Sequence, residues 1–140
     1  MLMNADADAM CGASDGERSV ERVNQQHAHT WIAEVEGEPL GFATCGPADD
    51  SSLPPSTGEI FSIYQEAWSA GTGVGRALLS HAMTDLLGRG FNSAVLWVLE
   101  GNQRARRFYE RAGWLADGAR KEDHRVDHVR HEIRYRRDLR

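Results

Sequence analysis

The chain has 140 residues, of which 41% are apolar and 26% are charged, and its formal net charge is −5. This length and composition are typical of one soluble globular domain with a buried core. The negative charge argues against a nucleic-acid partner, because neutralising a phosphate backbone needs a basic surface. No apolar run approaches the roughly 20 residues that a membrane-spanning helix needs, so we expect no membrane partner either.

The cysteines and the N-terminal residues bear on location and domain organisation. Cys11 and Cys45 cannot form a disulfide framework, which fits a reducing cytoplasm. The chain does not open with a basic segment followed by an apolar one, so we expect no signal peptide. Residues 1–15 show no periodicity and predict a flexible arm, which leaves 16–140 as a single domain.

The first elements after the arm are a helix and a hairpin. A polar segment from Asp15 to about His29 predicts a short surface helix. Residues 30–36 and 40–45 then predict two antiparallel strands joined by a turn at Gly37, since each is rich in β-branched, aromatic and alternating apolar residues. The polar, proline-containing residues 46–57 predict a loop.

The next strand is predicted at residues 58–64. Simple alternation places its side chains on two faces, with Glu59, Phe61 and Ile63 on one and Ile60, Ser62 and Tyr64 on the other. An apolar stripe predicts a helix from Gly73 to about Leu87, and the apolar run at 94–99 predicts an internal strand.

The last part of the chain completes an α/β fold. Asn102 is predicted to cap a helix that runs to about Ala112. Residues 114–116 and a long final strand from about His124 to Arg137 then complete a mixed, largely antiparallel central sheet with flanking helices.

A glycine-rich stretch, Ser69-Ala-Gly-Thr-Gly-Val-Gly-Arg, lies between the strand at 58–64 and the following helix. Alternate glycines let the backbone approach a ligand, so that several N–H groups converge on one anion. The helix N-terminus adds unpaired amides and the positive end of its dipole. The stretch therefore predicts a pyrophosphate cradle, with an ordinary strand-to-helix turn as the alternative.

Two familiar phosphate loops do not match this stretch. A dinucleotide fingerprint needs a glycine six positions along from Gly71, where Arg76 stands. A Walker A loop needs lysine and a hydroxyl residue after its last glycine, and Gly75 is followed by Arg-Ala. In the pattern that remains, Arg76 can meet a phosphate.

Residues from about 30 to 137 resemble the GCN5-related N-acetyltransferases (the GNAT family). The glycine loop is similar to the family's Gln/Arg-x-x-Gly-x-Gly/Ala signature, with Gly73 and Gly75 as the small positions. The block that begins at Asn102 resembles the family's Asn-x-x-Ala-x-x-Phe-Tyr-x-x-x-Gly-Phe helix. The resemblance implies the acyl-CoA N-acyltransferase (GNAT) fold. Because few residues precede Thr30, we expect that fold to be shortened, with its first strand missing or its N-terminus rebuilt.

The resemblance also implies acetyl-CoA as co-substrate. In the family the strand before the loop and the next parallel strand splay apart, and the pantetheine arm lies in the gap. Carried over, the main chain of Ile63, Tyr64 and Gln65 pairs with the pantetheine, and Asn102 meets it. The remaining cofactor-binding residues implied by the resemblance are Ala70, Gly71, Thr72, Gly73, Val74, Gly75, Arg76 and Phe108.

The reaction implied is direct attack by an amine of a small molecule or peptide on the acetyl thioester. Tyr109 would donate a proton to the departing thiolate, with a buried core ring as its alternative role. Glu59 resembles the family's base glutamate in its distance from Ala70, with a solvent-facing strand end as the alternative. A catalytically weak acyl-CoA-binding or partner-binding module stays open as the alternative to an enzyme.

The partners implied are acetyl-CoA and an amine acceptor, and both a monomer and a homodimer stay open. The acidic chain favours a cationic acceptor, with Glu59, Asp49 and Asp50 as counter-charge. No metal is expected, because the candidate ligands alternate faces on the predicted last strand and no cysteine joins them. Those candidates are His124, Asp127, His128 and His131.

Overall fold

A computed structural model gives the fold and describes residues 2–4, 28–69, 71–124 and 128–140. The strands are Leu2–Asn4 (β1), His29–Val35 (β2), Glu38–Pro47 (β3), Thr57–Gln65 (β4), Ser93–Leu99 (β5), Leu115–Asp123 (β6) and Arg130–Asp138 (β7). The helices in these ranges are Val74–Gly88 (α1) and Gln103–Arg111 (α2), with a 3-10 turn at Ala67–Ser69.

The described strands form one seven-stranded sheet in the order β1-β2-β3-β4-β5-β7-β6. The pairing of β4 with β5 is parallel, and the other neighbouring pairs are antiparallel. The predicted mixed, largely antiparallel sheet is therefore confirmed. A parallel pair needs a long crossover, and α1 supplies it between β4 and β5.

Residues 2–4 form a short strand before β2. They pair antiparallel with β2, with Leu2 opposite Glu34 and Asn4 opposite Ile32. The described chain therefore has a strand in the segment where we expected the family's first strand to be missing or the N-terminus to be rebuilt. A strand this short shows no alternation in sequence, which is why the sequence did not reveal it. The rest of the predicted arm, and the predicted helix up to residue 27, lie outside the described residues.

The predicted final strand was wrong in its bounds. The strand predicted at 114–116 is longer and runs as β6 to Asp123, whereas the final strand, predicted from about His124, begins as β7 only at Arg130. β6 is an edge strand whose side chains are largely exposed, so it carries charged residues in place of an alternating apolar pattern. The sequence of such a polar edge strand resembles that of a loop.

The main core lies on one side of the sheet. Leu78, Leu79, Ala82 and Leu86 of α1 are buried there together with Leu96 of β5. The inward side of α2, including Phe108 and Tyr109, packs against the same cluster, so both described helices cover one face. Among the described residues, no helix combines the length and apolar character needed to cross a bilayer.

Candidate active site

The strands β4 and β5 pair at one end only. Their parallel pairing runs from Thr57 opposite Ser93 to Glu59 opposite Val95. Beyond that point β4 continues to Gln65 and β5 to Leu99 without pairing to each other. The two strands therefore splay apart after Glu59, as the family resemblance implies, and main-chain groups along this edge of β4 are free of a strand partner in the described chain.

A β-bulge accompanies the splay. Thr44 of β3 pairs with Ser62, whereas the next residue, Cys45, pairs with Ile60. Phe61 is thus an extra residue in β4, and an extra residue bends a strand. The bulge lies directly after the last β4–β5 pair, so it bends β4 where it leaves its parallel neighbour.

The bulge changes which side chains of β4 share a face. Glu59 pairs with Gly46 and Ser62 pairs with Thr44, and residues two apart on β3 point to the same side. The prediction that Glu59 and Ile63 share a face is therefore wrong. One inserted residue shifts the two-residue period by one position, and sequence alternation alone cannot show it.

Glu59 lies on the sheet face opposite α1. The Cys45 thiol donates a hydrogen bond of 3.8 Å to the carbonyl oxygen of Ala82, which places α1 over the Cys45 face of β3. Gly46, the partner of Glu59, is the next residue along β3 and so points to the other face. Tyr109 packs against the core on the α1 side, so the two residues predicted to be catalytic lie on opposite faces.

The glycine loop enters α1 through left-handed backbone. Gly71 has φ of 82° and Gly73 has φ of 89°, a region that glycine occupies without steric cost. A Cβ built on either glycine would meet no described atom within 4 Å, so the backbone here lies open. Gly73 is the N-cap of α1, and no described side chain caps it. The first amides of α1 are thus available to an anion.

Three side chains hold the loop in shape. Gln65 Nε2 donates to the carbonyl oxygen of Ser69 at 2.7 Å, and the Thr72 hydroxyl donates to the same oxygen. The Ser69 hydroxyl donates to the Glu66 carbonyl at 2.8 Å, and Ser69 is only 1% exposed. Gln65 therefore connects the end of β4 to the loop, a role that the sequence did not indicate.

The second predicted block packs directly on this loop. A Cβ built on Gly75 would lie 3.5 Å from the Phe108 ring and 2.9 Å from Gln65 Oε1. Gly75 is thus required for close approach of α2, while the buried side chain of Val74 belongs to the core. Arg76 is exposed and makes no ion pair within the described residues. Ala70, the remaining predicted loop residue, lies outside the described residues.

Asn102 is the N-cap of α2, as predicted. Its Oδ1 accepts a hydrogen bond of 3.1 Å from the amide of Ala105. An open cavity of about 480 Å³ adjoins this cap. It is lined by Leu99, Glu100, Gly101, Asn102, Arg130 and His131. The cavity therefore borders the C-terminal end of β5, the start of α2 and the start of β7, and none of its lining residues comes from β4 or the glycine loop.

Tyr109 is partly buried in an aromatic cluster. Its ring centroid lies 6.4 Å from those of Trp114 and Tyr135, and 5.2 Å from that of Phe108. Burial raises the pKa of the Tyr109 phenol, so the hydroxyl keeps its proton at neutral pH. Within the described residues no side chain hydrogen-bonds this hydroxyl, which leaves its proton available for donation.

Glu59 is buried, with only 8% of its surface exposed. Its Oε1 accepts a hydrogen bond of 3.1 Å from the backbone amide of Asp49. Burial raises the pKa of the Glu59 carboxyl and is the largest effect, opposed by the Asp49 amide and by the charge of Lys121. A carboxylate with a raised pKa is a better proton acceptor at neutral pH than an exposed one.

A second cavity, of about 330 Å³, does not belong to the splay. It is lined by residues of β2, β3 and β4 and by Glu66, with none from β5. Within the described residues no group of three or more His, Cys, Asp or Glu side chains is placed to hold a metal ion. Of the four weighed metal ligands, Asp127 lies outside these residues, and His124 pairs with Glu122 at 3.0 Å.

With the splay, the loop and the capped helix established, the sequence can be compared with known proteins. The model of the Acetyltransferase (GNAT) family matches residues 3–114. The chain belongs to the GNAT family. This match begins at Met3, within β1, includes both predicted motif blocks and ends at Trp114, just after α2.

The chain is also similar to curated relatives named as N-acetyltransferases, and its fold is similar to that of a solved structure. An uncharacterized N-acetyltransferase of Archaeoglobus fulgidus is 37% identical over 56% of this chain and 54% of its own length. A probable N-acetyltransferase of Mycobacterium tuberculosis is 34% identical over 63% of this chain and 47% of its own length. The chain thus spans about half the length of these relatives. An N-acetyltransferase structure from Staphylococcus aureus Mu50 superposes with a TM-score of 0.77 over 99% of this chain and 98% of its own, at 18% identity.

Proposed function

We propose that this chain is an N-acetyltransferase that moves the acetyl group of acetyl-CoA to an amine. The observation that carries the proposal is the end of β4–β5 pairing at Glu59 and Val95, followed by an open glycine loop at the far end of β4. The gap offers main-chain groups to an extended pantetheine arm. The loop offers amides to a pyrophosphate.

The reaction needs one proton acceptor and one proton donor. An amine is protonated at neutral pH, so Glu59 takes its proton, through a water molecule where the distance requires it. The amine nitrogen then forms a bond to the acetyl carbon and the carbon–sulfur bond breaks. The nitrogen, still carrying one proton more than an amide, releases it to solvent. Tyr109 gives its proton to the departing thiolate and is restored from solvent.

The opposite placement of the two residues suits this sequence of steps. Glu59 lies on the face away from α1, and Tyr109 lies on the α1 side. An amine that arrives beside Glu59 therefore attacks from one side of the sheet, and the thiolate leaves toward the other. Nucleophile and leaving group stay separated, and each has its own proton partner.

For the acceptor we propose a primary amine that carries positive charge, on a small molecule or a peptide. Glu59 and Asp49 provide negative charge on the approach side, while Asp50 is already engaged by Ser52 and Arg134. Net negative charge attracts cationic ligands. We also propose a cytoplasmic location, since Cys45 is a free thiol. Light scattering distinguishes a monomer from a homodimer.

Two measurements test the activity. Calorimetric titration with acetyl-CoA is expected to show saturable binding, and absence of binding at millimolar acetyl-CoA would contradict the proposal. Thiol release is then measured over a panel of amines at several pH values, for the wild type and for Glu59→Gln. Binding without thiol release on any amine would favour a non-catalytic acyl-CoA-binding module.

The pH dependence identifies the base. The wild-type rate is expected to rise with pH as Glu59 loses its proton, and Glu59→Gln is expected to lower kcat/KM and flatten this rise. The value of kcat/KM is expected to fall roughly 10²- to 10⁴-fold, the usual contribution of a general base. Equal pH profiles for the two proteins would exclude Glu59 as the base.

A further inference from the structure

The connection between β3 and β4, residues 48–56, closes over Glu59. The amide of Asp49 donates to Glu59 Oε1 at 3.1 Å. The base of the connection is closed by a backbone hydrogen bond of 3.1 Å from the Ala48 amide to the Thr57 carbonyl. We call residues 48–56 the β3–β4 loop. Its contact with Glu59 accompanies the burial of a carboxylate that would otherwise face water at the end of a strand pair.

A second attachment holds the same loop from across the sheet. Nη1 of Arg134, on β7, lies 3.5 Å from Oδ2 of Asp50. Nε of the same guanidinium lies 2.7 Å from Oδ2 of Asp117 on β6. Arg134 is only 15% exposed, and its guanidinium also lies 5.8 Å from the centre of the Trp97 ring. One arginine therefore fastens the loop to two strands distant from it in sequence.

We propose that Arg134 is a positioning residue that holds the β3–β4 loop closed over Glu59 and so keeps the proton acceptor dry. The inference rests on the proposed role of Glu59 as the base. Arg134 acts through Asp50 and the loop and does not touch the reacting atoms. The guanidinium suits this task because its fork can bond two carboxylates at once.

The loop contributes to the protonation of Glu59 in two opposing ways. Charged groups that act on Glu59 are Asp49 and Asp50 from the loop and Lys121 from β6. Burial raises the pKa of Glu59 more than any other effect, while the Asp49 amide lowers it. Opening the loop takes away its share of the burial and the nearby charges of Asp49 and Asp50, which raise the pKa, together with the Asp49 amide, which lowers it, and the pKa is expected to fall. A wetter Glu59 is a weaker base.

Two variants separate loop closure from simple charge effects by sign. Arg134→Gln removes a cation, so charge alone would raise the pKa of Glu59, whereas Asp50→Asn removes an anion, so charge alone would lower it. Loop opening, in contrast, would lower the pKa of Glu59 in both variants. The expected result is a downward shift in both, measured by carbon NMR titration of the Glu59 carboxyl, which Glu59→Gln identifies. Shifts of opposite sign would overturn the proposal.

Hydrogen exchange of the Asp49 amide gives a second readout. Both variants are expected to exchange this amide roughly 2- to 5-fold faster, the range for losing one partly exposed ion pair. Unchanged exchange in Asp50→Asn would overturn the proposal even if Arg134→Gln does not fold, since Asp50→Asn leaves the Arg134–Asp117 pair intact.

Arg120→Gln is the matched control. Arg120 lies on β6 and forms a 2.6 Å ion pair with Glu100, and it makes no ion pair or hydrogen bond with the described residues of the β3–β4 loop. This variant is expected to leave both the Glu59 titration and the Asp49 exchange unchanged. Both readouts are independent of turnover. A wild-type protein without acetyl transfer would therefore contradict the proposed function, whereas a failure of loop closure would appear only in these two measurements.

Discussion

Glu59 and Tyr109 lie on opposite faces of the central sheet. Glu59 pairs with Gly46, which points away from α1, while α2 carries Tyr109 into the core on the α1 side. Two titratable groups whose pKa values are both raised by burial are thus kept in different surroundings. In the proposed reaction Tyr109 is the acid and Glu59 the base, and the ordinary pKa values of a phenol and a carboxyl differ by several units.

Replacing Glu59 by Gln is expected to stabilise the fold at neutral pH. The pKa of Glu59 is raised in the folded protein, so the folded state binds more protons than the unfolded state between the two pKa values. Stability therefore falls as pH rises through that window and stays lowered above it. Chemical denaturation at pH 7 and below pH 4 is the measurement. If Glu59→Gln raised the free energy of unfolding equally at both pH values, the ionised carboxylate would not be the group that destabilises the wild type.

Replacing Tyr109 by Phe is expected to slow turnover about 10²-fold if the phenol donates the proton. Acetyl-CoA affinity is expected to be unchanged, since the ring packing remains. Tyr135→Phe is the comparison, because the Tyr135 hydroxyl donates to Glu110 at 2.6 Å and joins α2 to the sheet. That variant is expected to lower stability by about 1 kcal/mol with little direct effect on proton donation. An unchanged rate for Tyr109→Phe would make Tyr109 a core residue only.

Gly73→Asp is expected to abolish acetyl-CoA binding while the protein still folds. The site has room for a side chain, and Asp tolerates left-handed backbone better than most residues. Its charge, however, lies where the pyrophosphate is expected. Gly73→Asn has nearly the same shape without the charge and is expected to retain much more affinity by calorimetry. Equal losses in the two variants would show that space, and not charge, decides binding.

Gly75→Ala is expected to loosen the glycine loop. The added Cβ would meet Gln65 Oε1 at 2.9 Å, and moving that side chain breaks its hydrogen bond to Ser69. The free energy of unfolding is expected to fall by about 1 kcal/mol, the net contribution of one hydrogen bond. On a Gln65→Ala background the same substitution is expected to cost less. A double-mutant cycle by denaturation measures this, and full additivity would argue against the Gly75–Gln65 contact as the cause.

Features with a local signature were predictable from the sequence. The glycine loop, the Asn102 cap and the apolar strand β5 each depend on residues close together in the chain, so spacing and composition reveal them. Their order led to the family resemblance, and the structure agrees with it in the splay between β4 and β5.

Features that depend on distant partners were not predictable. The bulge at Phe61 is defined by the register against β3, and β6 is held by its pairing with β7. The contact of Arg134 with Asp50 joins residues 84 positions apart. Periodicity contains no information on such pairs, which is why Glu59 and Ile63 were wrongly predicted to share a face.

The splay between β4 and β5 also bears on solubility. Where the two strands diverge, backbone N–H and C=O groups inside the sheet have no strand partner. Such unpaired groups bind other extended chains readily. A pantetheine arm in the gap would occupy those groups. We therefore expect the ligand-free protein to aggregate faster than the protein saturated with CoA, measured by light scattering during mild heating. If CoA slows aggregation, the bound cofactor protects the protein against intermolecular β-pairing in addition to its role as a reactant.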